Sequence, residues 1–101
     1  MIVLIGKALI HPDKRGEFLA AISASAVTSK QEPGNISYGW FESADTENQF
    51  MVVEEWESEA AMAAHLTSDD AKAFLRALSS VITEPPQLYR YDTPGRQLLP
   101  Q

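Results

Sequence analysis

The spacing of apolar residues changes period several times along this chain, and each change marks an element. Residues 2–10 form a nearly unbroken apolar run rich in β-branched side chains, which predicts a strand. Pro12-Asp13 then opens a helix, since proline is tolerated in a first turn. Phe18, Leu19, Ile22 and Ala26 recur at helical spacing, and the small residues Ala20, Ala21 and Ala24 allow close approach to a sheet. Glu32 precedes Pro33, which disfavours helix, and Gly34 supplies a turn. Residues 36–43 alternate, with Ile36, Tyr38 and Trp40 on one side and Ser37, Gly39 and Phe41 on the other, which predicts a second strand. A polar stretch, 44–48, reads as a hairpin loop, and residues 49–56 as a third strand. Ser58 is placed to cap a short helix reaching about Leu66, with Glu59 in its first turn. Thr67 and Asp70 have capping-box spacing for a further helix, whose stripe is Ala71, Phe74, Leu75, Leu78 and Ile82. Pro85-Pro86 ends it, and residues 88–91 form a last strand.

The predicted order is β-α-β-β-α-α-β. This is a split βαβ arrangement of the ferredoxin-like type, an α+β fold with an antiparallel sheet and helices on one face. The uncovered face of such a sheet meets water and should be polar. Here Ile2 and Leu4 point one way while Val3 and Ile5 point the other, and Phe50 and Val52 oppose Met51 and Val53. Both faces are apolar, so a homodimer through the sheet face opposite the helices is expected. Residues 1–92 make one domain, and 93–101, with Pro94, Gly95 and Pro100, a C-terminal tail that is an arm or disordered.

Composition narrows the function. At 101 residues there is room for one domain only, and its 45% hydrophobic content excludes a disordered chain. The formal net charge of −6 argues against nucleic acid or an anionic membrane as partner. An RNA-binding sheet of the same strand order needs basic residues beside its aromatics, where this chain has Glu54 and Glu55. Cysteine is absent, which removes disulfides, thiolate nucleophiles and thiolate metal sites. The apolar start lacks a basic leader and meets Lys7 at once, so it does not read as a signal peptide, and no run approaches membrane-span length. A cytoplasmic setting is expected.

Strand, aromatic, carboxylates and a titratable ring converge only at Glu54-Glu55-Trp56-Glu57-Ser58 and the following His65-Leu66. His65 lies at the edge of the inward stripe, either as a structural histidine or as a base facing a cavity. His11, beside Pro12, reads as a loop residue. Trp56 reads first as core and second as a pocket wall, and Tyr38, Trp40, Tyr89 and Tyr91 carry the same two readings; their number suits a planar ligand. Glu54 shares a strand face with Trp56 and needs a partner if buried, with Arg90 as a candidate. Two distant histidines without HxH or HxxxH spacing offer no metal set, and no phosphate loop or nucleophile elbow is present.

Glu32-Pro33-Gly34, the aromatic strand, Phe50-Met51-Val52-Val53-Glu54-Glu55-Trp56-Glu57-Ser58, Ala61 and His65-Leu66 together resemble the antibiotic biosynthesis monooxygenase (ABM) domain, from the first strand to Tyr91. The resemblance implies a homodimer of the dimeric α+β barrel type. It also implies one of three fates: oxygenation of hydroquinones or polyketide anthrones without metal or prosthetic group, haem degradation, or no known activity. Haem degraders use a histidine where this chain has Leu75 and an asparagine where it has Gly6-Lys7, which argues against haem. The scattered Asn, Trp, Tyr and Arg set of the anthrone oxygenases does not map residue by residue, and Trp56 and His65 alone resemble family positions.

The implied chemistry needs no cofactor, because an aromatic hydroquinone or anthrone anion itself reduces O2. His65 is the candidate catalytic base, and Trp56, Tyr38, Trp40, Glu54 and Arg90 are the candidate substrate-binding residues. A phenol near pKa 10 facing a histidine near 6.5 leaves roughly 5 kcal/mol uphill, so a donor or cation (Arg90, Lys7 or a tyrosine hydroxyl) must favour the anion. The alternative is a non-catalytic dimer of the same fold that binds or senses a small aromatic molecule.

Overall fold

The computed structural model of the chain describes residues 1–100; position 101, the last of the expected tail, lies outside the described residues. Four strands, β1 (Ile2–Leu9), β2 (Asn35–Glu42), β3 (Gln49–Trp56) and β4 (Gln87–Asp92), form one antiparallel sheet in the order β2-β3-β1-β4. Three helices, α1 (Arg15–Gln31), α2 (Glu59–Leu66) and α3 (Asp69–Ser79), complete the predicted order. A 3-10 turn, Pro12–Lys14, leads into α1. Ser58 caps α2 by accepting from the Ala61 amide at 3.2 Å. The cap of α3 is Ser68, which accepts from the Ala71 amide at 3.1 Å, not Thr67 as the capping-box spacing suggests. The Thr67 hydroxyl instead turns back onto the Ala63 carbonyl.

Strand periodicity separates the two sheet faces. Ile2, Leu4, Ala8, Tyr38, Phe50, Val52, Glu54 and Trp56 are buried beneath the helices. Registered between them, Val3, Ile5, Met51 and Val53 are half-buried on the bare face, where Phe41, Tyr89 and Tyr91 are 60, 49 and 51% exposed. The ladder slips between Asn35 and Ser37, a bulge that removes Ile36 from the pairing. Ile36 therefore does not continue the Tyr38–Trp40 alternation.

The helix stripes are narrower than the apolar spacing suggests. On α1 the inward side is Phe18, Ile22, Ser25 and Ser29, whereas Leu19 is exposed. On α3 Leu78 is buried and Leu75 is exposed. The helix ends at Ser79, before the prolines, and Ile82 pairs with Ile10 in an isolated bridge. Thr93 hydrogen-bonds to the Met1 carbonyl at 3.0 Å, and Arg96 reaches Glu55 on the bare face at 3.1 Å.

The buried apolar residues fall into two clusters at opposite ends of the sheet. Ala8, Ile10, Phe18, Phe50, Leu78 and Val81 make one; Ile2, Leu4, Trp56 and Met62 make the other. Between them β1 offers only Gly6, and β3 offers Val52 and Glu54. The core is interrupted there because Gly6 and Glu54 supply no apolar side chain.

Candidate active site

A cavity of about 110 Å³ occupies the interruption. Its walls are Trp40 from β2, Val52 from β3, and Phe74 and Leu78 from α3. Gly6 contributes bare backbone: a Cβ there would stand 2.9 Å from Val52 Cγ1 and 3.2 Å from Leu88 Cδ1. The exposed lining residues Leu66, Leu75 and Leu88 mark the mouth. Ring packing holds the wall, with Trp40 edge-on to Phe18 at 5.4 Å and tilted against Phe74 at 5.6 Å.

The inner end is polar. His65, on α2, is 6% exposed and lies over Trp56, with ring centroids 4.7 Å apart and planes at 28°. Its Nδ1 is 2.8 Å from Glu32 Oε1, and its Nε2 is 3.4 Å from Glu54 Oε1. Glu54 Oε1 also accepts the indole N–H of Trp56 at 3.0 Å. An ionised carboxylate can only accept, so Nδ1–H donates to Glu32 and the other edge of the ring shares a proton position with Glu54. The carboxylates flank opposite edges of the ring, so the three groups do not converge on one point as metal ligands do.

Glu54 Oε2 makes no hydrogen bond within the described residues, yet no buried side-chain oxygen is left sealed and unpaired. That oxygen therefore keeps some accessible surface, and Glu54 lines the cavity. Burial pushes the Glu54 carboxyl above the usual carboxylate range; Glu32 adds to this, while Trp56 and His65 oppose it. Burial likewise raises the Tyr38 phenol. Tyr38 accepts the Trp40 indole N–H at 2.9 Å and pairs with Ser25 at 3.0 Å, edge-on to the His65 ring.

The structure brings His65, Glu54, Tyr38 and Trp40 together at the cavity, as the sequence suggests. It separates two others. Trp56 is fully buried behind the imidazole and is not part of the cavity wall; it is the platform for His65 and a donor to Glu54. Arg90 pairs with Asp92 at 2.7 Å and Glu59 at 3.0 Å, outside the cavity. Its place as partner of Glu54 is taken by His65 and Trp56, because β1 lies between β4 and β3 and Leu4 stands between Arg90 and Glu54. Lys7 lies on the cavity lining but is exposed. Tyr89 and Tyr91 alternate onto the bare face.

Sequence reasoning missed Glu32 as a site residue, reading it as the residue before proline and as part of the Glu32-Pro33-Gly34 turn that carries the resemblance. It is the C-cap of α1, where the helix dipole disfavours an acid. A carboxylate so placed signals a nearby donor. The same turn docks on α2: Gly34 has φ +83°, its carbonyl accepts the Glu57 amide at 2.8 Å, and a Cβ there would stand 2.5 Å from Ala61 Cβ.

The family model for antibiotic biosynthesis monooxygenases matches residues 1–77. A Bacillus subtilis protein named "Putative monooxygenase YcnE" is 33% identical over 90 residues, covering 89% of this chain and 95% of its own. Similar solved structures include two with the name "putative antibiotic biosynthesis monooxygenase". The one from Caulobacter crescentus has a TM-score of 0.86 at 26% identity, over 91% of this chain and 88% of its own. The one from Deinococcus radiodurans has a TM-score of 0.92 over all of both chains; at 19% identity that likeness concerns the fold alone.

Proposed function

Because the chain belongs to the antibiotic biosynthesis monooxygenase family, we propose that it is a cofactor-independent monooxygenase acting with O2 on an aromatic hydroquinone or polyketide-type substrate. One observation carries the reading: an apolar cavity lined at its inner end by Glu54 and by an imidazole clamped between Glu32 and Glu54. The ring enters past Leu75 and Leu88 and lies along the wall made by Trp40 and Phe74, with a hydroxyl toward Glu54. Glu54 and His65 act as a unit to take the proton. The raised Glu54 carboxyl narrows the gap to a phenol, and the His65 ring spreads the received proton toward Glu32. The resulting anion, kept from water by the apolar wall, donates electrons to O2. A ring carbon gains one oxygen atom, the ring reaches the quinone level, and the second oxygen atom leaves in water, so that hydroquinone and O2 give hydroxyquinone and water.

No helix of the described residues is long and apolar enough to cross a membrane. We place the working unit in the cytoplasm as a homodimer, joined through the bare sheet face, which leaves the cavity under the helices.

Oxygen uptake by purified protein over a panel of quinols and anthrones tests the activity. His65→Ala should lower uptake by about a hundredfold, the usual worth of a positioned acid–base group. Unchanged uptake in that variant removes His65 from the chemistry. No uptake by the wild-type protein on any member leaves the binding dimer in place of the enzyme.

A further inference from the structure

Resting on the reading that the cavity takes an aromatic ring, we infer that Phe74 is a gate: its side chain leaves the cavity wall for an alcove between α1 and α3 when a ligand enters. Space demands a movement. The cavity holds about 110 Å³, whereas an apolar cavity of about 150 Å³ is what admits one benzene. No aromatic ligand fits until a wall residue shifts.

Most of the wall is fixed. Trp40 donates its indole N–H to Tyr38 and packs edge-on against Phe18. Val52 and Leu78 are buried, and displacing either disturbs close-packed core. Leu66, Leu75 and Leu88 are exposed at the mouth, so moving them widens the entrance without deepening the chamber. Phe74 differs from all of these. It is half-buried, and it meets Trp40 only by a tilted ring contact at 5.6 Å. On its other side lies a second space of about 220 Å³, bounded by Ala21 and Ala24 of α1 and by Ala73 and Ala77 of α3. That volume exceeds what one benzene needs, so it can receive the phenyl ring of Phe74. Among the described residues only Phe74 and Ser25 line both spaces. Ser25 is tied to the Tyr38 hydroxyl at 3.0 Å, which leaves Phe74 as the movable partition. An aromatic side chain on a helix can occupy χ1 wells at about 180° and about −60°, so the swing is a rotamer change that leaves α3 in place. The incoming ring takes the vacated position against Trp40, and one aromatic contact replaces another.

Ala77 and Ala24 border the alcove but not the cavity, and both are exposed. Ala77→Leu therefore fills the alcove with a good helix former and leaves the cavity lining unchanged; should it not fold, Ala24→Leu serves the same purpose. Titration with phenol, followed by NMR, reads both affinity and the position of the Phe74 ring. In the wild-type protein, phenol should replace the proton contacts between Phe74 and Trp40 by contacts between Phe74 and Ala77. Ala77→Leu should weaken phenol binding by about tenfold, and that loss should vanish in a Phe74→Ala background, where no ring needs the alcove. Should Phe74→Ala not fold, the proton contacts in the wild-type complex decide alone. Phe74 contacts that phenol leaves unchanged, a loss in Ala77→Leu that persists without Phe74, or no phenol binding by the wild-type protein each overturns the inference. Alcove-dependent phenol binding without oxygen uptake on any quinol or anthrone overturns the oxygenase reading and leaves the gate standing. Oxygen uptake that Ala77→Leu does not slow, with Phe74 unmoved, does the reverse.

Discussion

At the scale of single residues, the site is built from one ring and two carboxylates, and Glu54 is the one held under opposing influences. Glu54 has a carboxyl raised by burial, so the folded state favours its protonated form. Its contribution to stability is therefore full below the ordinary value of 4.5 and is lost as pH rises through the higher folded value. Glu54→Gln lacks that loss. Urea midpoints of the two proteins should diverge in favour of the variant as pH is raised from below 4.5 toward neutrality. A difference that stays constant with pH contradicts the raised carboxyl. Glu42, held down to about 2 by the Arg15 guanidinium, acts in the opposite sense, adding stability that is lost as pH falls toward 2. It is common to both proteins and cancels. Glu32 offers a second test. Glu32→Ala leaves His65 Nδ1 without its acceptor, at a cost of about 1–3 kcal/mol, and should lower quinol-dependent oxygen uptake by on the order of tenfold or more. Glu32→Gln, which keeps an acceptor oxygen, should recover part of both. His65 and Glu54 were legible from strand and helix periods alone, because both lie within a dozen residues of Trp56. Glu32 was not, because its partner is 33 positions away, and local pattern carries no information about which carboxylate a ring will meet. Arg90 shows the converse: charge complementarity with Glu54 is visible in the sequence, but nearer acids on β4 and α2 claim it.

At the scale of elements, the Glu32-Pro33-Gly34 turn matters more than its length suggests. It ends α1, starts β2, accepts from the segment before α2, and packs against Ala61. Gly34→Ala combines a left-handed backbone at φ +83° with a Cβ 2.5 Å from a neighbouring methyl. Left-handed strain of about 1–2 kcal/mol and overpacking of about 1–3 kcal/mol should lower the thermal midpoint by many degrees. A variant with an unchanged midpoint denies the contact. All four strands and three helices were readable, since each carries its own period. The inner extent of the helices was not. Leu19 and Leu75 have the right spacing but stay exposed, Leu75 at the mouth of the cavity. The cavity itself was also hidden, because empty space arises from what neighbouring elements fail to fill, here Gly6 beneath α3.

At the scale of the molecule, the bare sheet face is the unresolved apolar surface. Val53 lies at its centre, registered against Ile5 and Gly39 and flanked by Met51. An exposed contiguous apolar patch of this kind marks an association site. The wild-type protein should sediment at twice the chain mass, and Val53→Glu at the chain mass. A wild-type monomer at all accessible concentrations rejects the pairing. The bare face and the chamber are read from the same four strands, one from odd and one from even positions. Point substitutions can therefore retune the ligand without disturbing assembly, or the reverse, because no side chain serves both. A single-residue insertion or deletion within β3 has no such freedom: it would turn Glu54 and Trp56 outward, bring Met51 and Val53 inward, and abolish both properties in one event. Divergence among relatives should therefore proceed in these strands by replacement, with length changes confined to the hairpin and the tail.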